Sequence, residues 1–427
     1  MRPAAGEGEA VGWRARVLLS AGVVLASLAA GPRAAAAGSP PPGAAGPPGA
    51  LAAPSASHAE ATPDPRQLLQ DQLEALDTAP LEGVLSEMNR AWAGYGPELS
   101  LEQVLDLYRG EGRRWDPVSI LRGLAHYFLR EVLGNSGLLL KLVVLSALAA
   151  LLGHLQGAFA HEATSRIAHA VVYLALAGLA LTGFGLAAEA ARQVMSDLQG
   201  FLLALLPTLL VALGGLGGAA TTALLQPALP VLTGGVIAIT STVVFPLIYL
   251  AAVLDIVSGL GEGLRLTHLA SLLRQSALVV MGLALTVFLG VTGVKAVAGT
   301  VGDSLALRTA KYMSGALMPV VGKMFADAAE LVWSSGLLLR NALGLLGLAG
   351  IFFITAFPCL KILSLILVYR GAAALVQPLG PTGVASLLHT MAGALTLMFV
   401  SASLVGLMFF LGVGVLLGAA NAAAMLR

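Results

Sequence analysis

The stretch Gly302–Trp333, GDSLALRTAKYMSGALMPVVGKMFADAAELVW, decides how this chain is read. It lies between strongly apolar segments, yet its 32 residues carry six charges: Asp303, Arg308, Lys311, Lys323, Asp327 and Glu330. A charge at the centre of a membrane helix costs about 2.5–3.5 kcal/mol, and each Leu, Ile, Val or Phe returns about 0.5. The eight such residues here offset about 4 kcal/mol of a penalty of about 15 or more. An ordinary lipid-facing span is excluded. The stretch either lies at a membrane surface or enters the protein interior, where its backbone and charges find partners.

The surroundings fix the class. Of 427 residues, 57% are hydrophobic and 11% charged, against about 25% charged in a soluble domain. With a mean hydropathy of +0.86 and long apolar runs, the chain reads as an all-α polytopic membrane protein whose solvent is the lipid bilayer. The net charge of +1 says nothing about nucleic acid. No Lys/Arg cluster with interleaved aromatics marks a nucleic-acid partner. The single cysteine, Cys359, lies in an apolar run, so an intrachain disulfide is excluded.

Residues 1–37 read as a signal peptide. Arg14 and Arg16 precede the apolar Val17–Ala30, and Ala35-Ala36-Ala37 offers a small-residue cleavage site. Residues 38–65 are a Pro/Ala/Gly/Ser linker without means to build a core, and disorder is expected. Residues 66–131 differ, with eleven acids, seven basic residues and the aromatics Trp92, Tyr95, Trp115 and Tyr127. Leu68, Leu69, Leu73 and Leu76 show helical spacing, as do Val104, Leu105 and Leu107. Asp116-Pro117 opens a further helix with the stripe Ile120, Leu121, Leu124 and Phe128. Behind a signal peptide this is a small helical extracytoplasmic domain. Its core is marginal at that size, so it is expected to pack on the membrane domain or a partner.

The membrane domain is residues 132–427. Apolar segments at 133–153, 167–188, 200–219, 229–258, 275–298, 337–357, 359–376 and 390–420 give about seven or eight spans. Pro207, Pro246, Pro319 and Pro358 are expected helix breaks. Compared with itself at an offset of about 112 residues, the chain repeats. Leu206-Pro207 matches Met318-Pro319, and Phe245-Pro246 matches Phe357-Pro358. Leu269–Leu273 then matches Val384–Leu388 at an offset of 115. Two repeats, 198–298 and 310–420, with broken or re-entrant helices, follow the plan of many transport proteins.

Catalytic motifs are weak. Gly134-Asn135-Ser136-Gly137 has the G-x-S-G form of intramembrane serine proteases, but His268 and His389 lie at segment ends, and a helix N-terminus explains it better. Gly322-Lys323 lacks the rest of a P-loop. His154, His161 and His169 have no carboxylate or Cys to complete a metal site. The reading is therefore no catalytic residue, no metal and no cofactor. Lys141, Lys295, Lys361, Arg370 and Asp255 fall in or beside apolar runs, Lys141 and Lys361 deepest. Lys323, Asp327 and Glu330 share a helix face at i, i+4, i+7, and Arg308 and Lys311 form a basic patch at i, i+3. Two readings of these five stay open: an interfacial amphipathic helix with a self-neutralising face, or the lining of a conduit or partner-docking face.

At Arg308–Glu330, RTAKYMSGALMPVVGKMFADAAE, the sequence resembles the stage III sporulation protein AE family. The resemblance extends to Ala356–Leu363, Gln377-Pro378-Leu379-Gly380, Gln226-Pro227 and the C-terminal Met425-Leu426-Arg427. It implies a multi-pass protein of the mother-cell membrane in endospore formers, working with the other subunits of a stage III sporulation complex. That assembly forms a secretion-like channel, or feeding tube, to the forespore and is needed for late forespore development. No catalytic residue comes with the resemblance. The expected function is a non-enzymatic channel subunit, the alternatives being a structural scaffold for partner subunits or a free-standing permease. A second copy of the chain stays open as a partner.

Overall fold

The structure, a computed structural model, describes residues 78–109, 115–156, 162–214, 218–259, 266–317, 322–378 and 382–425. Side chains are described for these apart from 108–109, 152–156, 162–169, 307, 310–317, 322–335, 382 and 420–425. The expected signal peptide, the linker and residues 66–77 lie outside the described residues. Among the described residues every regular element is helical. In lipid this is forced, because only a helix or a closed barrel satisfies all backbone donors within itself.

The N-terminal part holds α1 (Ala79–Ala91), α2 (Leu101–Arg109) and α3 (Pro117–Gly134). Asp116 caps α3 by accepting from Val118 N at 3.1 Å, with Pro117 as the first helical residue. Leu81, Leu85 and Met88 of α1 and Val104 and Leu105 of α2 are buried. Of the stripe expected on α3, Ile120 and Leu124 pack on the core, whereas Leu121 is 63% exposed. At Asn135 the chain bends by 40° into α4 (Ser136–Gln156).

Helix α5 (Glu162–Gly214) follows, then the unit α6 (Ala219–Leu225), α7 (Ala228–Ile239), a π-helical turn (Thr240–Val244) and α8 (Phe245–Ser258). Three more long helices complete the chain: α9 (Thr267–Leu317), α10 (Gly322–Val376) and α11 (Thr382–Met425). Five helical units are long and apolar enough to cross a membrane, or six with the bent pair α3–α4. The eight apolar segments therefore fall on fewer elements than the sequence suggests. Segments 167–188 and 200–219 share α5, and 337–357 and 359–376 share α10.

Two features of α5 and α10 explain the difference. Between its apolar halves α5 carries Glu189, Arg192 and Asp197, which read as a loop, yet Ala187, Ala191, Val194, Leu198 and Phe201 are buried at helical spacing. Only the outer face is polar there, with Glu189 and Arg192 3.9 Å apart and 73% and 64% exposed. The prolines also fail as terminators, since α5 runs through Pro207 and α10 through Pro358. Proline costs one backbone hydrogen bond but does not end a helix whose flanks are held by packing. Pro246 follows the π-helical turn directly, and Pro319 lies outside the described residues.

Helices α10 and α11 form the core, packed on one another and on α5. Close approach depends on glycine. A Cβ at Gly350 would enter the ring of buried Phe201, and one at Gly406 would strike Thr355. The N-terminal helices dock on the same core. Trp92 is 5% exposed and meets Phe353 and Phe357 of α10 at ring-centroid distances of 5.6 and 5.4 Å, while Tyr127 meets Phe357 edge-on at 4.9 Å. Trp92→Ala is expected to cost about 3–5 kcal/mol. Limited proteolysis of the membrane-embedded protein should then release the segment ahead of residue 134, which stays protected in the wild type.

Candidate functional site

The charged stretch that singled itself out in the sequence is divided in the structure. Residues Gly302–Leu317 end α9, and Gly322 opens α10. Its first charge, Asp303, is only 1% exposed and accepts from Ala220 N at 2.7 Å, from Thr221 N at 3.2 Å and from the Thr221 hydroxyl. These are the first free donors of α6. The residue before α6 is Gly218, which has no side chain to cap with. Asp303 therefore caps a helix that lies 82 residues earlier in the chain, and its charge meets the positive end of the helix dipole. The approach is close because α9 presents glycine: a Cβ at Gly299 would lie 2.6 Å from Thr221 Cα, and one at Gly302 2.9 Å from Ala220 Cβ.

The other five charges stand apart from this contact. Arg308 is exposed on α9. Lys311 lies three positions further on the same helix, and Lys323, Asp327 and Glu330 follow one another on the opening turns of α10. The backbone thus keeps the two expected faces, one on each helix. The side chains of these last four lie outside the described residues.

Other ionic groups of the apolar region find specific places. Asp255 at the end of α8 pairs with Arg274 on α9 at 3.1 Å, with side-chain exposures of 7% and 28%. Beside them the Tyr173 hydroxyl donates to the Ile256 carbonyl at 3.1 Å, tying α5 to α8. A second buried tyrosine, Tyr369 of α10, donates to the Ala180 carbonyl at 2.7 Å. Arg340 is 2% exposed within α10. It carries no expectation in the sequence reading, although an arginine inside an apolar run is a signal in itself. Lys141 is exposed on α4, Lys361 half-buried on α10 and Arg370 exposed. Asn135, at the bend after α3, donates to Glu131 O and to Ser364 Oγ at 2.9 and 3.3 Å, a structural role for the G-x-S-G segment. Among the described residues no group of three or more His, Cys, Asp or Glu side chains is placed to hold a metal ion.

Long apolar helices with ionic groups turned inward define a polytopic helical membrane protein. Residues 99–420 match the family model of Stage III sporulation protein AE. A Stage III sporulation protein AE of Bacillus subtilis (strain 168) is 36% identical over 377 residues, covering 87% of this chain and 94% of that relative. The chain belongs to the stage III sporulation protein AE family. No solved structure matches it.

Removing the carboxylate in Asp303→Ala leaves two buried amides and a hydroxyl without acceptor, a loss of about 3 kcal/mol. Thermal unfolding in detergent should show it, with Thr221→Val costing about 1 kcal/mol because the two amide bonds remain.

Proposed function

We propose that this chain is a non-enzymatic membrane subunit of the sporulation mother cell–forespore channel complex, a secretion-like feeding tube needed for late forespore development. Membership of the stage III sporulation protein AE family carries the reading. In this proposal the chain sits in the mother-cell membrane around the forespore with its N-terminal helices outside the cytoplasm, beside the other subunits of the complex. Arg308, Lys311, Lys323, Asp327 and Glu330 line a conduit or dock a partner at the join of α9 and α10.

The order of elements supports a duplicated membrane domain with repeats 198–298 and 310–420. In each, a helix end is followed by a long helical unit with a central Phe-Pro, then a short connection, then a long helix. The first runs from the end of α5 through Phe245-Pro246 to α9, and the second from the end of α9 through Phe357-Pro358 to α11. Two such units meeting at a polar join suit a passage better than a brace.

In a sporulating host, Lys323→Glu and Asp327→Lys should each lower late forespore gene expression about ten-fold, with partial recovery in the double swap that restores an i, i+4 pair. Normal expression in all three would exclude the conduit role. Cysteines placed singly along Arg308–Glu330 should be accessible to an aqueous thiol reagent at helical intervals in the assembled complex. Uniform protection would favour a scaffold. Solute movement by the purified chain alone would favour a permease.

A further inference from the structure

Helix α9 carries its large side chains on the outside. The row it buries is mostly small, with Ala270, Ala277, Ala284, Ala296 and Gly299. The opposite row holds Leu272, Val279, Leu283, Val287, Val294 and Val301, each 55–70% exposed. Of the five long units it is the least buried. Lipid accounts for part of this row, but the row is too long for lipid alone. From Leu269 to Leu305 it runs about 54 Å at 1.5 Å per residue. At the usual tilt of about 20° it extends about 50 Å along the membrane normal, against a hydrocarbon core of about 30 Å. About 20 Å of exposed Leu and Val then lies beyond the hydrocarbon, where a row of this kind marks an interaction surface.

The row also says what it fits. It carries no charge, since Arg274 turns to Asp255, Asp303 is buried on α6 and Lys295 is half-buried. An uncharged, repeating row is complementary to itself, as a two-fold pair of identical chains requires. Its middle holds Gly282, Thr286 and Gly290 at four-residue spacing, the arrangement that lets two membrane helices approach closely. A Cβ at either glycine would meet nothing of this chain, and the Thr286 hydroxyl is satisfied by the Gly282 carbonyl at 2.9 Å. A face about 54 Å by 10 Å on each copy gives about 1,100 Å² in total, above the roughly 1,000 Å² a specific interface needs.

We propose that α9 is the docking surface for a second copy of this chain, with the two α9 helices packed side by side through the row centred on Gly282–Gly290. Disulfide cross-linking of the full chain in membranes tests it, in a Cys359→Ala background that leaves each introduced cysteine alone. Val287→Cys and Val294→Cys should give a dimer. Val171→Cys on α5 and Leu367→Cys on α10, also exposed at 60% and 49%, should not. Adding Gly282→Ile and Gly290→Ile should cut the Val287→Cys dimer by about five-fold or more through steric exclusion. Gly178→Ile, equally open in this chain, should leave it unchanged. Cross-linking at the α9 positions no stronger than at the controls would overturn the proposal. So would a single adduct of a mass other than twice the chain, or insensitivity to the two Gly→Ile changes.

Discussion

A carboxylate handed from one helix to the first amides of another holds the centre of this protein together. The chain leaves α5 at Gly214 and re-enters helix at Ala219 in a strongly apolar setting, and that change of direction frees backbone donors that lipid cannot satisfy. Asp303 supplies the missing acceptor, and the absence of side chains at Gly299 and Gly302 lets it reach. The two conditions are inseparable. A larger residue on α9 would keep the carboxylate and lose the contact, while an uncharged residue at 303 would keep the contact and lose the acceptor. Around this fixed point α6 to α8 pack on α9, and α11 packs on both.

The π-helical turn at Thr240–Val244 serves the same packing. From Leu229 to Ile256 the buried positions recur every three to four residues, with Thr240, Val244 and Ile248 each four apart. An ideal helix advances 3.6 residues per turn, so a row spaced by four would wind away from its neighbours. One widened turn brings it back. Thr240 then donates to the Val236 carbonyl at 2.7 Å inside the bundle.

Much of this was legible in the sequence, and the failures share a cause. Composition and apolar run lengths establish an all-helical membrane protein, and Asp116-Pro117 marks the start of α3 correctly. Long helices hid themselves because a polar patch on one face, as at Glu189–Asp197, resembles a loop when read in one dimension. The alternation of Ala187, Ala191, Val194 and Leu198 was the available sign that the helix continues. Pro207 and Pro358 misled in the same way, since whether proline ends a helix is decided by what packs around it. Asp303 was visible as a charge out of place, but its partners lie 82 residues away and are backbone amides, which no residue pattern announces. Arg340 needed only closer attention to the apolar run that contains it.

The seat of Trp92 between Phe353 and Phe357 has a consequence in time. About 265 residues separate Trp92 from Phe357, and at roughly 5–20 residues per second the ribosome needs about a quarter of a minute to a minute to cover them. Through that interval the N-terminal helices are already made while the surface that buries their indole does not yet exist. Their folding is therefore bound to the last part of the chain. A protein truncated before α10 would present an unburied tryptophan and a half-formed core, and would be readily marked as incomplete by whatever proteases watch the membrane surface.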